Sequence, residues 1–295
     1  MRSADADGEG MIELESVDLV LFAGQSNMAG RGCAAEAAPC PEEAGWEYRA
    51  VSAPDALYPI GEPFGRHENV PGALDDGEKK TGSMVSAFAA AYYRLSGRRL
   101  VCVSASKGGT SSQAWEDGLA ADAAARLARA LGYLRAVGRT PQHTLVLWCQ
   151  GETDGDYAVT AAQYRSRFER IWTRLRQAGA DRCGLIEIGH FNKRVFPQGL
   201  YGLTGEQLDA QYAVIRTAQR QIVRKVDGVF PAGSFEPHEA EMKDEFHYRQ
   251  SAYNAVGTAA ARACLLAMGL LPDVPSARTG AQTRPLTEEF CTMHR

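Results

Sequence analysis

Residues 18–32 read Asp18-Leu19-Val20-Leu21-Phe22-Ala23-Gly24-Gln25-Ser26-Asn27-Met28-Ala29-Gly30-Arg31-Gly32. An apolar run of β-strand character stops at a glycine, and a serine follows two residues later. The pattern puts one hydroxyl at the open end of a strand, on a turn of small residues. Parallel sheets gather their chemistry at the carboxyl ends of their strands. The stretch therefore predicts a fold class and a candidate nucleophile together. For Ser26 the competing reading is an N-cap of the helix that follows.

Other apolar runs cover 100–105, 144–149 and 184–188, with a weaker one at 226–230; the first covers 17–23. They are continuous rather than alternating, as expected of strands buried on both faces of a parallel sheet. Helical spacing of apolar residues marks 83–95, 119–137, 160–178, 206–225 and 250–268. Strand and helix alternate, so right-handed βαβ crossovers follow. The expected architecture is a three-layer α/β/α sandwich, flavodoxin-like, around a central, mostly parallel five-stranded sheet. The expected organisation is a single domain over 1–295 with its core at about 17–270. Residues 31–82, rich in Gly, Pro, Glu and Asp, form a long insertion directly after Ser26, placed to wall a pocket. Residues 190–205 are a second insertion, and 271–295 a polar tail.

The 295 residues are 45% hydrophobic and 23% charged, with a formal net charge of −4. Without a basic stripe, nucleic acid and anionic membrane are not expected partners. No apolar run approaches the roughly 20 residues of a membrane span. Residues 1–10 are polar and show no secretory h-region, which predicts a cytoplasmic protein. The seven cysteines are odd in number and scattered. Cys102, Cys149 and Cys183 lie in strand-like runs and read as buried thiols. Cys33 and Cys40 are the one pair that a loop could bridge. No C-x-x-C occurs, and a metal site at His190, His238 and His247 lacks ligand spacing.

Three more blocks carry chemistry. Ser104-Ala105-Ser106-Lys107-Gly108-Gly109-Thr110 leaves the second predicted strand, where paired glycines free backbone N–H groups to face a ligand. Gln150-Gly151-Glu152-Thr153-Asp154 ends the third, with an amide donor and two carboxylates; Asp154 also reads as a helix cap. Asp244-Glu245-Phe246-His247 precedes the last helix. A carboxylate three residues before an imidazole can fix its tautomer and free the other nitrogen to act as base. Nucleophile, base, orienter and oxyanion donors are the set that acyl transfer requires.

Through these four blocks the chain resembles the SGNH/GDSL hydrolases. More narrowly it resembles the sialate O-acetylesterase-like carbohydrate esterases, the group that includes acetyl xylan esterases. Gly24-Gln25-Ser26-Asn27-Met28 and Gln150-Gly151-Glu152-Thr153-Asp154 carry the likeness, which spans about 17–270; Thr153 stands where Ser or Ala is usual. The resemblance implies Ser26 as nucleophile, His247 as base and Asp244 as its partner. It implies an oxyanion hole from the N–H groups of Ser26 and of Gly108 or Gly109, plus the Gln150 amide. Gln25, Asn27, Glu152 and Asp154 are supporting residues. On this reading Gln150→Ala costs roughly 10²–10³ in turnover. The substrate is a small-molecule or oligosaccharide acetyl ester, and neither cofactor nor metal is required. Trp46, Tyr48, Trp115 and Trp148 are candidate sugar-stacking faces, Trp148 reading equally as core. Two other readings are an SGNH lipase or thioesterase, and a silent carbohydrate-binding protein on the same fold.

Overall fold

The computed structural model describes residues 16–271, so the stretch 1–10 and all but the first residue of the expected polar tail lie outside the described residues. Seven strands form one sheet: β1 (Ser16–Gly24), β2 (Gly45–Tyr48), β3 (Leu57–Pro59), β4 (Leu100–Ser106), β5 (Thr140–Cys149), β6 (Arg182–Glu187) and β7 (Val229–Ser234). Their order is β3-β2-β4-β1-β5-β6-β7, and every neighbouring pair is parallel except β2 with β3. The α/β class holds, but the expected count of five strands is corrected to seven. The two additions lie inside 31–82 and extend the β4 edge. They escape a periodicity reading because β2 has four residues, one of them Glu47, and β3 has three.

The helices are α1 (Ser26–Ala29), α2 (Val85–Ser96), α3 (Ser112–Ala114), α4 (Ala120–Ala136), α5 (Glu152–Asp156), α6 (Ala161–Gln177), α7 (Gly205–Lys225) and α8 (Gln250–Ala267). Alternate residues of β1 serve two cores. Leu19, Leu21 and Ala23 pack with Leu127 of α4, Ile171 of α6 and Ile215 of α7. Val20 and Phe22 pack with Phe88 of α2 and Val256 of α8. Both faces are buried, which is why the strand reads as unbroken apolar sequence. The last strand begins three residues later than 226 because Val226 caps α7 and Gly228 turns the chain at φ +75°. Cys33 and Cys40 are free thiols, so the candidate bridge is not made. No helix among the described residues is long and apolar enough to cross a membrane.

Residues 31–82 are fastened by buried polar groups as well as by apolar packing of Tyr48, Ile60, Phe64 and Leu74. The Glu68 carboxylate accepts the Val51 and Ser52 amides at 2.9 and 3.0 Å. Lys80 donates to Ser104 Oγ at 2.8 Å and to the Gly65 carbonyl at 3.2 Å. Burial pulls the Lys80 ammonium down to about 8, against the opposing pull of Asp76 and Glu47. The unfolded chain therefore holds this proton more tightly between about pH 8 and the ordinary lysine value near 10.4. In that window stability rises with pH. Urea midpoints should show wild type gaining on Lys80→Met between pH 7.5 and 10, by on the order of 2–3 kcal/mol. Parallel pH profiles would contradict this.

Candidate active site

The site lies at the carboxyl end of β1, where the sheet's connections diverge to β4 on one side and β5 on the other. Crevices form at such switch points in open α/β sheets. Gly24 makes the tight exit possible. Its φ is +146°, and a Cβ there would stand 1.9 Å from the Cys149 carbonyl oxygen. That same carbonyl accepts the Gln25 amide at 2.9 Å. Gln25 then takes the N-cap position of α1, and Ser26 becomes the first helical residue with its hydroxyl uncommitted to capping.

Ser26 Oγ lies 2.9 Å from His247 Nε2. On the other side of the ring, His247 Nδ1 is 3.0 Å from the Asp244 carboxylate. One Asp244 oxygen also accepts the Phe246 and His247 amides at 2.9 and 2.7 Å. Burial works against ionisation of Asp244, but these donors and the imidazole outweigh it and hold the carboxyl at about 2. The 190–205 segment buttresses this loop: Asn192 donates to the Asp244 carbonyl at 3.0 Å, and Phe191 meets Phe246 edge-on. His190 and His238 are engaged elsewhere, with Asp209 at 2.9 Å and Glu241 at 2.7 Å.

Asn27 clamps the serine turn to the histidine loop. Its amide donates to Glu152 Oε1 at 2.6 Å and to the Phe246 carbonyl at 3.1 Å, and its oxygen accepts from Tyr253 at 2.7 Å. Glu152 is buried, its second oxygen has no partner, and burial raises its carboxyl. Gln25 Oε1 gathers the Gly151 amide at 3.2 Å and the Gln150 amide at 3.3 Å, tying β1 to the β5 exit.

Gln150 departs from the expectation that its amide faces an oxyanion. It is fully buried, and its nitrogen donates to Asp154 Oδ2 at 2.5 Å and to the Thr110 carbonyl at 2.9 Å. An amide has two N–H donors, and Asp154, Thr110 and Gln25 share them. Asp154 does not cap its own helix, whose N-cap is Gly151. Its carboxylate instead accepts the Ser112 amide at 2.8 Å, fixing the turn after Gly109. The glycine pair is likewise distinguished. The Gly108 amide donates to Asp76 Oδ2 at 2.9 Å, and the same oxygen takes Arg31 at 2.5 Å. Among the described residues, the N–H groups of Ser26 and Gly109 have no hydrogen-bond partner.

A cavity of about 340 Å³ opens over Ser26 and His247. Gln25, Gly108, Gly109, Glu152 and Phe246 line it, and so do Arg31, Lys79, Asp156, Tyr157 and Tyr201, which sequence reasoning did not single out. Arg31 was within reach, since it stands in the same glycine-rich turn as Ser26. Of the four aromatic residues expected as sugar faces, Tyr48, Trp115 and Trp148 are buried in the core. Trp46 lies under Arg139 at the far edge of the sheet, 4.1 Å from guanidinium to ring. None lines the cavity.

A mostly parallel sheet of this order, with a polar cluster at its switch point, places the chain in the α/β class. The chain belongs to the family described as carbohydrate esterase, sialic acid-specific acetylesterase, whose model matches residues 16–266. The protein is accordingly a carboxylic ester hydrolase. Among solved structures it is similar to a protein of Arabidopsis thaliana, with 21% identity and a TM-score of 0.61 over 84% of this chain and 98% of that one. It is similar to NanS, with 15% identity and a TM-score of 0.57 over 88% of this chain and 99% of that one. A carbohydrate acetylesterase from Xanthomonas citri gives 17% identity and a TM-score of 0.51, over 85% of this chain and 56% of that one. At such identities the three attest the fold alone. A comparison with curated proteins gives no match.

Proposed function

We propose that the protein is a serine esterase that removes acetyl groups from an O-acetylated carbohydrate through an acyl-enzyme. The observation that carries this reading is the 2.9 Å approach of Ser26 Oγ to His247 Nε2, with Asp244 on the opposite ring nitrogen. His247 accepts the Ser26 proton as Oγ bonds to the ester carbonyl carbon. Asp244 stays ionised, keeps the Nδ1–H tautomer and stabilises the imidazolium. The oxyanion is held by the N–H groups of Ser26 and Gly109, the two free of other partners. Gly108 is assigned to loop geometry instead, since Asp76 takes its amide. His247 then returns the proton to the leaving sugar oxygen as the C–O bond breaks. Water, deprotonated by the same imidazole, attacks the acetyl-enzyme, and acetate departs. The route calls on no cofactor or metal.

The polar lining favours a sugar leaving group over a lipid: Arg31, Lys79, Glu152 and Asp156 all reach the cavity. The test is acetate release from O-acetylated sialic acid and acetylated xylan, run beside aryl esters of increasing acyl length. The expected result is turnover of at least one sugar acetate and a steep fall in rate beyond short acyl chains. A preference for long acyl chains would instead assign a lipase or thioesterase, and no turnover of any ester would assign a silent binding protein.

A further inference from the structure

Among the described residues, two non-glycine positions adopt left-handed backbone, Ala158 at φ +52° and Tyr201 at φ +56°. Such conformations cost of order 1–3 kcal/mol and persist where the surroundings enforce them, often at ligand sites. Both belong to one place. Tyr201 itself lines the cavity over Ser26, and Ala158 follows directly on Tyr157, which lines it too. The two segments are far apart in sequence, one at the end of α5 and the other in the 190–205 insertion.

Exposure makes the coincidence informative. Tyr157 is 70% and Tyr201 67% exposed, while most tyrosines of the chain are buried or half-buried. Large apolar rings left in water at strained backbone contribute little to the fold. Asp156 lies in the same lining and has one oxygen held by Tyr212 at 2.9 Å, which leaves the other to accept. Burial first, then Asp156, Tyr157 and Glu245, raise the Tyr201 hydroxyl, so these groups share one neighbourhood. The cavity, about 340 Å³, is at the small end of the range for ligand sites, suited to an acyl group and one ring.

We propose that Tyr157 and Tyr201 form the leaving-group subsite, packing against the C–H face of a single sugar ring while Asp156 accepts a ring hydroxyl. The inference rests on the esterase reading above and names what it leaves open: recognition is of one pyranose-type ring next to the scissile acetyl. The Tyr faces supply rigid contact area at low entropic cost, as aromatic anchors do in other recognition sites.

The test compares kcat/KM for the better sugar acetate, O-acetylated sialic acid or an acetylated xylan fragment, with kcat/KM for ethyl acetate, which has no ring. In the Tyr157→Ala/Tyr201→Ala double variant this ratio is expected to fall about tenfold, mainly through KM for the sugar ester. Any fall of threefold or more supports the subsite. The Tyr157→Phe/Tyr201→Phe variant, which keeps both faces, should hold the ratio within threefold of wild type. Tyr201→Gly gives a second readout: glycine accepts φ +56°, so Tm should hold or rise while the ratio falls. A ratio that falls less than threefold in a folded double-alanine variant overturns the proposal, as does a Tm loss of several degrees in Tyr201→Gly. Wild-type enzyme that cleaves ethyl acetate but neither sugar acetate would instead defeat the carbohydrate reading on which the proposal rests.

Discussion

Ser26→Ala is expected to lower kcat/KM for acetyl-ester hydrolysis by about 10⁴–10⁶. Its Oγ is the atom proposed to bond the carbonyl carbon, and no neighbouring hydroxyl meets His247 in its place. Among the described residues, the one side-chain hydrogen bond Ser26 makes is to His247, and α1 does not use it as a cap. Its removal should therefore leave Tm within about 2 °C of wild type, in line with surface-like changes of a few tenths of a kcal/mol. His247→Ala should cost a similar factor, and the double variant little more, because groups that act as a unit are not additive. His238→Ala should stay within about twofold, its ring being held by Glu241 away from the serine. Retention of more than about 1% of activity by folded Ser26→Ala would remove the serine from the chemistry.

Much of this was legible because strand physics writes directly into sequence. A strand buried on both faces must be apolar throughout, so β1, β4, β5 and β6 stand out, and polar residues at their ends mark the catalytic edge. Asp244 and His247 were legible because a short loop keeps them together. The added strands β2 and β3 were not, since four and three residues leave too little pattern. Gln150 shows a different limit. Its type and position promise a donor, but a buried amide goes to the strongest acceptor near it, here the Asp154 carboxylate, and only coordinates reveal that competition. Tyr157 and Tyr201 were invisible for a related reason: aromatic residues in loops carry no periodic signal. The four aromatics that looked promising went mostly to the core, which the large area of such rings favours.

The second large effect is on stability. Arg126→Met is expected to destabilise the protein by about 3–5 kcal/mol, the cost of breaking a buried charge network from one side. Arg126 on α4 is 1% exposed. Its guanidinium donates to the carbonyls of Glu68, Leu74 and Ser104 at 3.0, 3.2 and 3.0 Å and to Asp122 at 3.1 Å. Methionine fills much of the volume but donates nothing, so three carbonyls and one carboxylate lose this donor together, the Leu74 carbonyl keeping only the Val70 amide and Asp122 only the Leu74 amide among the described residues. At about 2–4 °C per kcal/mol for a chain of this size, Tm should fall by roughly 6–20 °C. The network joins the 65–76 part of the insertion to the sheet, and Asp76 at its end holds both Gly108 and Arg31 beside Ser26. Loss of stability should thus come with a loss of esterase activity that appears below the global melt. Asp122→Asn added to Arg126→Met should recover part of the loss, because it removes the stranded carboxylate charge. Chemical denaturation of the three proteins decides it: a single-variant cost below about 1 kcal/mol would mean that the insertion is held by its apolar contacts and not by this arginine.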